Sequence, residues 1–255
     1  MKAIILAGGY GTRISEETQD KPKPLIEIGG MAIIWHIMKS YSVYNINDFI
    51  ICSGYKQERI KEYFLTKFKH KIIVKESNYI KIEILQKKTN PWIVTIVDTG
   101  LETMTGGRLK RVKDFVMNET FCFTYGDTLN DLNITELLEF HKNSGTFVTV
   151  TACQPSGKFG ILEIRDKKVI NFIEKPKGDG NWVNGGYFVL EPSIFDYIDN
   201  DSTVWEQEPL QKLTKKCQVS AFKHHGFYQP MDTIYEKKIL EKMWELDNAK
   251  WKVWE

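Results

Sequence analysis

The sequence lacks the features that would mark a membrane-bound, secreted or zinc-binding protein. No segment approaches the roughly 20 apolar residues that a membrane-spanning helix needs, and glycines interrupt the short apolar run at the N-terminus, so no cleavable signal is expected. The four cysteines form no Cys-x-x-Cys pair, and three of them lie in apolar runs, which is typical of free buried thiols: Cys52, Cys122, Cys153 and Cys217. We therefore expect a cytoplasmic protein without a structural zinc site.

Neither sign of charge dominates the chain. The 255 residues include 35 Lys and Arg and 33 Asp and Glu, which gives a net charge of +2. This balance argues against a nucleic-acid or membrane surface, so neither partner is expected. The densest basic run, residues 67–81, alternates lysines with apolar residues and favours a solvent-exposed pair of strands. An apolar fraction of 42% is sufficient for the core of one large domain.

The first half of the chain alternates strand and helix patterns. Strands are predicted at Ala3–Ala7, Phe49–Cys52, Ile93–Val97 and Phe121–Tyr125. Helices are predicted at Ala32–Tyr44, Gln57–Phe68 and Arg108–Phe115. This alternation predicts an α/β fold with a doubly wound, mostly parallel sheet, in which ligands bind beyond the carboxyl ends of the strands.

The second half turns β-rich before a final helix. Short strands are predicted at Phe147–Cys153, Ile161–Ile164, Val169–Glu174 and Gly186–Leu190. Residues 234–246 have the spacing of an amphipathic helix. Three tryptophans close the chain, and they either cover the core or meet a partner subunit: Trp244, Trp251 and Trp254.

The first predicted strand leads into a glycine-rich loop, Gly8-Gly9-Tyr10-Gly11-Thr12-Arg13. Glycines leave backbone N–H groups open to a ligand, polyphosphate suits such a nest, and Arg13 adds a forked cation at its edge. The loop is not a P-loop, because the sequence contains no Gly-Lys-Ser or Gly-Lys-Thr. It is not a dinucleotide fingerprint either, because Ile14 stands where the third glycine is required.

These residues, with Lys21-Pro22-Lys23-Pro24, resemble the signature of the sugar-1-phosphate nucleotidyltransferases. Three further segments resemble the glucose-1-phosphate cytidylyltransferases within that family: residues 22–29, residues 98–108, and Gln229-Pro230-Met231-Asp232-Thr233. The likeness runs from residue 1 to about residue 243. It implies a Rossmann-like nucleotidyltransferase fold spanning 1–255 as a single domain. In that domain, about 1–145 form a nucleotide-binding half, about 146–232 a sugar-binding lobe, and about 233–255 a C-terminal helix.

The resemblance also implies a reaction and its ligands. The cytidylyl group of CTP would pass to α-D-glucose 1-phosphate with Mg²⁺ as cofactor, giving CDP-glucose and pyrophosphate for surface-polysaccharide or O-antigen synthesis. The attacking phosphate oxygen is already ionised, so such an enzyme needs positioning, a metal and cations rather than a strong base. A homo-oligomer is implied as well, a hexamer among the assemblies considered. The tryptophan-bearing tail and residues 71–88 are the candidate contact surfaces.

Two carboxylates and two cations are the candidate catalytic groups. Asp127 ends a β-rich run after Gly126, which is equally typical of a turn. Asp232 could equally be the N-cap of the last helix. By resemblance these two aspartates bind the metal, Arg13 holds the β- and γ-phosphates, and Lys23, stiffened between two prolines, contacts the α-phosphate and the sugar phosphate.

Two further groups of ligand-binding residues follow from the resemblance. The nucleotide would contact Leu6, Ala7, Gly8, Gly9, Tyr10, Gly11, Thr12, Arg13, Lys23, Thr103 and Arg108. The sugar phosphate would contact Gly160, Glu174, Lys175, Asn184 and Gly185. On the residues alone, Arg108 also fits a solvated helix and Asn184-Gly185 a simple turn. Without the resemblance, a charged turn is the favoured interpretation of Glu174-Lys175.

The chain departs from the family pattern at four positions: Thr128 replaces Gly, Lys158 replaces Arg, Tyr228 replaces Trp and His225 replaces an acid. Three alternative functions stay open at this point. One is a nucleotidyltransferase with a different base or phosphorylated acceptor. The second is a catalytically silent nucleotide-sugar binding protein, although such a protein has no need of both aspartates. The third, a nicotinamide-dependent oxidoreductase, is disfavoured by Ile14.

Overall fold

A computed structural model describes residues 1–86, 90–116, 118–157 and 159–254. Lys158 lies outside this described part. The first eight strands are β1 Lys2–Ala7, β2 Glu27–Ile28, β3 Met31–Ala32, β4 Asp48–Ser53, β5 His70–Lys75, β6 Tyr79–Ile84, β7 Trp92–Asp98 and β8 Phe121–Tyr125. The remaining strands are β9 Thr128–Asn130, β10 Val148–Cys153, β11 Ile161–Arg165, β12 Lys168–Ile173, β13 Val183–Leu190, β14 Val219–His224 and β15 Tyr228–Pro230.

The helices connect these strands. They are α1 Ser15–Thr18, α2 Ile33–Val43, α3 Gln57–Lys67, α4 Thr105–Arg111, α5 Ile134–Ser144, α6 Glu208–Lys215 and α7 Ile234–Glu245. Short 3₁₀ segments occur at Thr12–Ile14, Lys23–Leu25, Lys113–Phe115, Lys177–Gly180 and Pro192–Tyr197. Every strand and helix predicted from the sequence is confirmed within a few residues at each end, except that the third helix is shifted.

A nine-stranded sheet organises the molecule, with the strand order β14-β10-β13-β8-β1-β4-β7-β6-β5. The centre β8-β1-β4-β7 is parallel, and across the whole sheet β6 and β13 are the strands that run in the reverse direction. The predicted doubly wound, mostly parallel α/β sheet is therefore confirmed. In this arrangement the carboxyl ends of β8, β1, β4 and β7 meet at one edge, where the loops after them form a continuous surface.

Apolar side chains cover both faces of the sheet. One face packs α2, whose Ile33, Ile37 and Tyr41 are almost fully buried, and the other packs α4 through Leu109. The predicted helix Arg108–Phe115 begins earlier, at Thr105, and ends at Arg111. Its pattern was hidden by two glycines, whose N–H groups both donate to the carbonyl oxygen of Thr203 where the chain passes closely.

The second half of the chain extends the same sheet rather than building another. Strands β10, β13 and β14 continue it beyond β8, whereas β11 and β12 form a separate two-stranded hairpin. The predicted exposed strand pair of the basic run is β5 and β6, at the opposite edge. Three of the cysteines are buried, Cys217 is exposed, and all four are free. No helix over the described residues is long and apolar enough to cross a membrane.

The C-terminal tryptophans pack inside the chain. Trp251 is almost fully buried. It contacts the ring of His36 of α2, and Trp244 and Trp254 contact the same ring. The indole N–H of Trp251 donates to Nδ1 of His36 at 3.3 Å. These tryptophans therefore cover the core, which is the first of the two roles considered for them.

Candidate active site

The glycine-rich loop lies at the carboxyl end of β1, in the middle of the sheet edge. Gly11 has a φ of +67°, and a Cβ there would lie 2.8 Å from a methyl carbon of Thr18, so other residues would be both strained and crowded. Gly8 lies directly against the guanidinium of Arg108, where a Cβ would overlap with the side chain. Glycine is thus required at these two positions by the close packing of the loop.

Arg108 binds the backbone of this loop from the buried side. Its buried guanidinium donates to the carbonyl oxygens of Gly8 at 3.0 Å, Ser53 at 3.1 Å and Gly100 at 2.8 Å. It also donates to the carbonyl oxygen of Leu101 and to the Thr99 hydroxyl. Burial lowers the pKa of Arg108 from its usual value, but a guanidinium stays protonated in proteins. Its charge therefore ties together the chain ends that follow β1, β4 and β7.

Asp127 and Asp232 meet at the opposite side of the loop. Asp127 lies between β8 and β9, and Asp232 lies between β15 and α7. The Lys23 Nζ is 2.6 Å from Oδ2 of Asp127 and 2.6 Å from Oδ1 of Asp232. The Arg13 Nη1 is 2.8 Å from the other oxygen of Asp232. The four predicted catalytic residues are thus brought into one cluster from chain segments more than 100 residues apart.

Asp232 is not the N-cap of the last helix. Thr233 has that position, and it forms a capping box in which the Glu236 carboxylate accepts the Thr233 N–H while the Thr233 hydroxyl accepts the Glu236 N–H. The same Glu236 carboxylate accepts the backbone N–H of Asp232 at 2.8 Å. The alternative role for Asp232 is therefore wrong, and its carboxylate is left to face Lys23 and Arg13.

The residues of this cluster fit a magnesium ion on chemical grounds. The carboxylates of Asp127 and Asp232 converge on the same ammonium group, so they form a site that attracts a cation. Proteins hold Mg²⁺ with one or two carboxylates together with substrate phosphates. In the described part of the chain, no group of three or more His, Cys, Asp or Glu side chains has a geometry for holding a metal. A metal in this cluster would therefore take its remaining ligands from water and phosphate.

A cavity of about 440 Å³ runs along the glycine loop. All the predicted nucleotide-binding residues line it: Leu6, Ala7, Gly8, Gly9, Tyr10, Gly11, Thr12, Arg13, Lys23, Thr103 and Arg108. Asp127 also lines it, whereas Asp232 reaches it through its contacts with Arg13 and Lys23. The volume is in the range that binds small ligands.

The predicted sugar-phosphate residues lie around the cavity rather than in its wall. Asn184 donates to the hydroxyl of Tyr125, a wall residue, at 3.3 Å, and Gly185 packs against the sulfur of Cys153. Glu174 and Lys175 are exposed beyond the hairpin, with 3.6 Å between their charged groups. Gly160 packs beside the carboxylate of Glu174 and the ring of Phe172. None of these five residues lines the cavity or contacts the aspartate cluster in the described part of the chain, and Asn184 is the one that contacts a wall residue.

Residues 2–251 match the family model described as nucleotidyl transferase. The chain belongs to the nucleotidyl transferase family. It is 56% identical over 257 residues to the glucose-1-phosphate cytidylyltransferase of Salmonella typhimurium, covering all of both chains. It is 30% identical to the mannose-1-phosphate guanyltransferase of Yarrowia lipolytica, covering 92% of this chain and 62% of that protein. The structure of the inositol-1-phosphate CTP transferase from T. maritima superposes with a TM-score of 0.64 at 16% identity, covering 98% and 96% of the two chains, which shows a shared fold.

The cavity and its surroundings include residues that no sequence motif singled out. Tyr125 lines the cavity, and its hydroxyl donates to Glu206 at 2.5 Å, while the Thr105 hydroxyl donates to the other oxygen of Glu206. Burial raises the pKa of Tyr125, so it remains a donor. Glu102 also lines the cavity and accepts a hydrogen bond from Tyr10. Only the position of Glu102, six residues before the arginine of its motif, offered a sequence signal.

Two of the departures from the nucleotidyl transferase pattern lie at the cluster. The hydroxyl of Thr128 donates to Oδ1 of Asp127 at 3.2 Å, so this residue supports the carboxylate. Tyr228 lies on β15, which pairs with β9. His225, by contrast, packs edge-on against Trp182. These three departures therefore leave the two aspartates and both cations in place.

Proposed function

We propose that this nucleotidyl transferase moves the cytidylyl group of CTP to α-D-glucose 1-phosphate and releases pyrophosphate. The observation that carries the proposal is the cluster in which Lys23 contacts both Asp127 and Asp232 beside the glycine loop. The Salmonella typhimurium relative, identical at 56% of positions over its full length, supports this choice of base and sugar.

The residues of the chain supply positioning and charge. The phosphate oxygen of the sugar attacks the α-phosphorus, and the bond to the pyrophosphate oxygen breaks on the opposite side. Lys23 neutralises charge between the two substrates, and Arg13, with a side chain 74% exposed, reaches outward to the departing pyrophosphate. The N–H groups of the glycine loop hold the triphosphate chain. A divalent ion, Mg²⁺ in this proposal, would be held by Asp127 and Asp232, and it would supply positive charge to the phosphate oxygens.

Sugar recognition falls in this proposal to the residues that follow β12 and to Asn184 of β13. Lys175 provides the cation for the sugar phosphate, and Glu174 and Asn184 provide acceptors and donors for the hydroxyl groups. Asn184 is connected to the cavity wall because it donates a hydrogen bond to the hydroxyl of Tyr125. That hydroxyl in turn donates to Glu206. Lys175 and Glu174 are both 60% exposed, so they are accessible to an incoming sugar phosphate.

The test is pyrophosphate release with Mg²⁺, crossing CTP, UTP, dTTP and ATP against a panel of sugar 1-phosphates. Turnover with CTP and glucose 1-phosphate well above every other pair is expected. Preference for another pair would keep the chemistry and overturn the assigned substrates. Tight nucleotide binding without turnover of any pair would instead identify the chain as a catalytically silent nucleotide-sugar binding protein.

We further propose a homo-oligomer that forms through the β11–β12 hairpin. Both faces of this hairpin expose apolar side chains: Ile161, Leu162, Ile164, Val169, Ile170, Phe172 and Ile173. Large contiguous apolar patches of this kind mark contact surfaces. Phe172→Glu is expected to lower the molar mass measured by light scattering, whereas Val43→Glu, at an exposed valine outside the candidate contact surfaces, leaves it unchanged. Equal masses for the Phe172 variant and the unmodified protein would contradict this surface.

A further inference from the structure

Glu102 is an acidic residue in the wall of a cavity that has to accept a polyanion. It lies in the segment between β7 and α4, and its carboxylate accepts a hydrogen bond from the hydroxyl of Tyr10 at the crest of the glycine loop. The Tyr10 ring is in turn packed against Tyr55, with centroids 5.1 Å apart. Both partners are exposed, so the contact bridges the mouth of the cavity rather than its floor.

The two carboxylates in the cavity wall are not in equivalent surroundings. Asp127 is paired with the ammonium group of Lys23 at 2.6 Å. Over the described residues, the hydrogen-bond partner of Glu102 is the neutral hydroxyl of Tyr10, and no ion pair of Glu102 is found there. Arg108, the nearest guanidinium along the chain, directs its N–H groups to five other oxygens. Glu102 therefore keeps acceptor capacity that the protein itself does not use.

The strand order separates Glu102 from the phosphate-binding end. Asp127 follows β8 and Glu102 follows β7, and β1 and β4 lie between these two strands. At a spacing of about 4.8 Å between neighbouring strands, three steps place the two loops about 14 Å apart. That distance is comparable to the length of a nucleoside triphosphate. When the phosphates lie at Arg13, Lys23 and Asp127, the base reaches the loop that carries Glu102.

We propose that Glu102 selects cytosine by accepting a hydrogen bond from its exocyclic N4 amino group. A carboxylate is the natural acceptor for this group. Uracil and thymine carry the acceptor O4 at the same position, so they would bring two oxygens face to face and leave both without a donor. The hydroxyl of Tyr10 holds one carboxylate oxygen, which orients the other. This inference rests on the proposed use of CTP and assigns the residue that enforces it.

The decisive variant is Glu102→Gln, because an amide can present an oxygen to cytosine or an NH₂ group to uracil. The ratio of kcat/KM for CTP to kcat/KM for UTP is expected to fall about 10- to 100-fold, the range for a lost hydrogen bond to a charged group. The KM for glucose 1-phosphate should stay unchanged, because Glu102 is not among the residues proposed to bind the sugar phosphate. Glu102→Ala should lower kcat/KM for CTP without raising kcat/KM for UTP. Tyr10→Phe should lower the CTP-to-UTP ratio of kcat/KM by a smaller factor than Glu102→Gln.

Calorimetric binding of CMP and UMP provides a second readout that needs no turnover. In Glu102→Gln, the ratio of the dissociation constants for UMP and CMP should fall by the same factor. The control variant Glu58→Gln, at an exposed glutamate of α3, should show the ratio of the unmodified protein. An unchanged ratio in Glu102→Gln, or equal losses for both bases, would overturn the assignment. A preference of the unmodified protein for UTP would instead refute the proposed function, so the two failures are distinguishable.

Discussion

His36 should make the stability of the fold depend on pH between about 6.5 and 4. The ring is enclosed by Trp35, Trp244, Trp251 and Trp254, and its Nε2 donates to the carbonyl oxygen of Ile28 at 2.8 Å. Its Nδ1 accepts from the indole N–H of Trp251, which is possible only in the neutral form. Burial lowers the pKa of His36 from 6.5 to about 4.

The sign and size of the effect follow from this lowered pKa. Below pH 6.5 the unfolded chain binds a proton at His36, whereas the folded chain does not bind one until the pH reaches about 4. The stabilising contribution is thus complete above pH 6.5 and is lost as the pH falls towards 4. A difference of this size corresponds to about 3 kcal/mol of unfolding free energy. At lower pH, both states are protonated and His36 adds no further slope.

Urea unfolding followed by circular dichroism at several pH values between 7 and 3.5 measures this contribution. His36→Gln can preserve both hydrogen bonds, but it loses the ring contacts with the tryptophans, so it should be less stable than the unmodified protein at pH 7. Because glutamine does not titrate, the variant should lose less unfolding free energy between pH 7 and pH 4. The difference between the two profiles, rather than either profile alone, isolates His36 from the other titrating groups. His225→Gln, at an exposed histidine, is the matched control. Parallel profiles for the unmodified protein and His36→Gln would refute the reasoning.

Three further perturbations test the site. Arg108→Met removes five hydrogen bonds: the carbonyl oxygens of Gly8 and Ser53 keep other donors, whereas those of Gly100 and Leu101 lose the donor that the described residues give them. It should cost about 3 kcal/mol in urea unfolding, and a loss below about 1 kcal/mol would contradict its role beneath the loop. Asp127→Asn should lower kcat at least about 100-fold with an unchanged melting temperature, whereas Asp114→Asn at an exposed position should match the unmodified enzyme; substantial residual turnover would remove Asp127 from the metal site. Lys175→Ala should raise the KM for glucose 1-phosphate far more than that for CTP, with Lys177→Ala as control, and equal effects on both substrates would refute the sugar-phosphate assignment.

The features that could be predicted from the sequence are those encoded locally. Strand β1 is a run of apolar residues, and the glycines after it permit one tight turn, so loop and strand were both predictable from a dozen residues. The helices α2 and α3 have clear apolar periodicity, and their ends fall within a residue of those predicted. By contrast, the start of α4 depends on the carbonyl oxygen of Thr203, which lies about a hundred residues further along the chain.

The contacts that complete the site depend on tertiary structure. The sequence placed an aspartate at position 232, but its pairing with Lys23 joins residues 209 apart, and no local pattern encodes such a contact. The same is true of Glu102, whose contact with Tyr10 joins residues 92 apart. Arg108 was predicted as a nucleotide-binding residue from the family resemblance, and its helical context alone was equally consistent with a solvated residue. Its burial against five oxygens follows only from the way β1, β4 and β7 end side by side.

The C-terminal segment links the core of the fold to the chemistry of the site. Asp232 precedes α7 directly, and the Glu236 carboxylate of that helix accepts the Asp232 backbone N–H. At the other end of α7, Trp244 packs against His36, which anchors the helix to α2. The carboxylate of Asp232 that faces Lys23 is therefore held in place by α7, and α7 is itself anchored at its C-terminal end by the aromatic cluster around His36. Because the neutral form of His36 supports that docking, the fixed position of Asp232 depends on a residue that never touches the substrates.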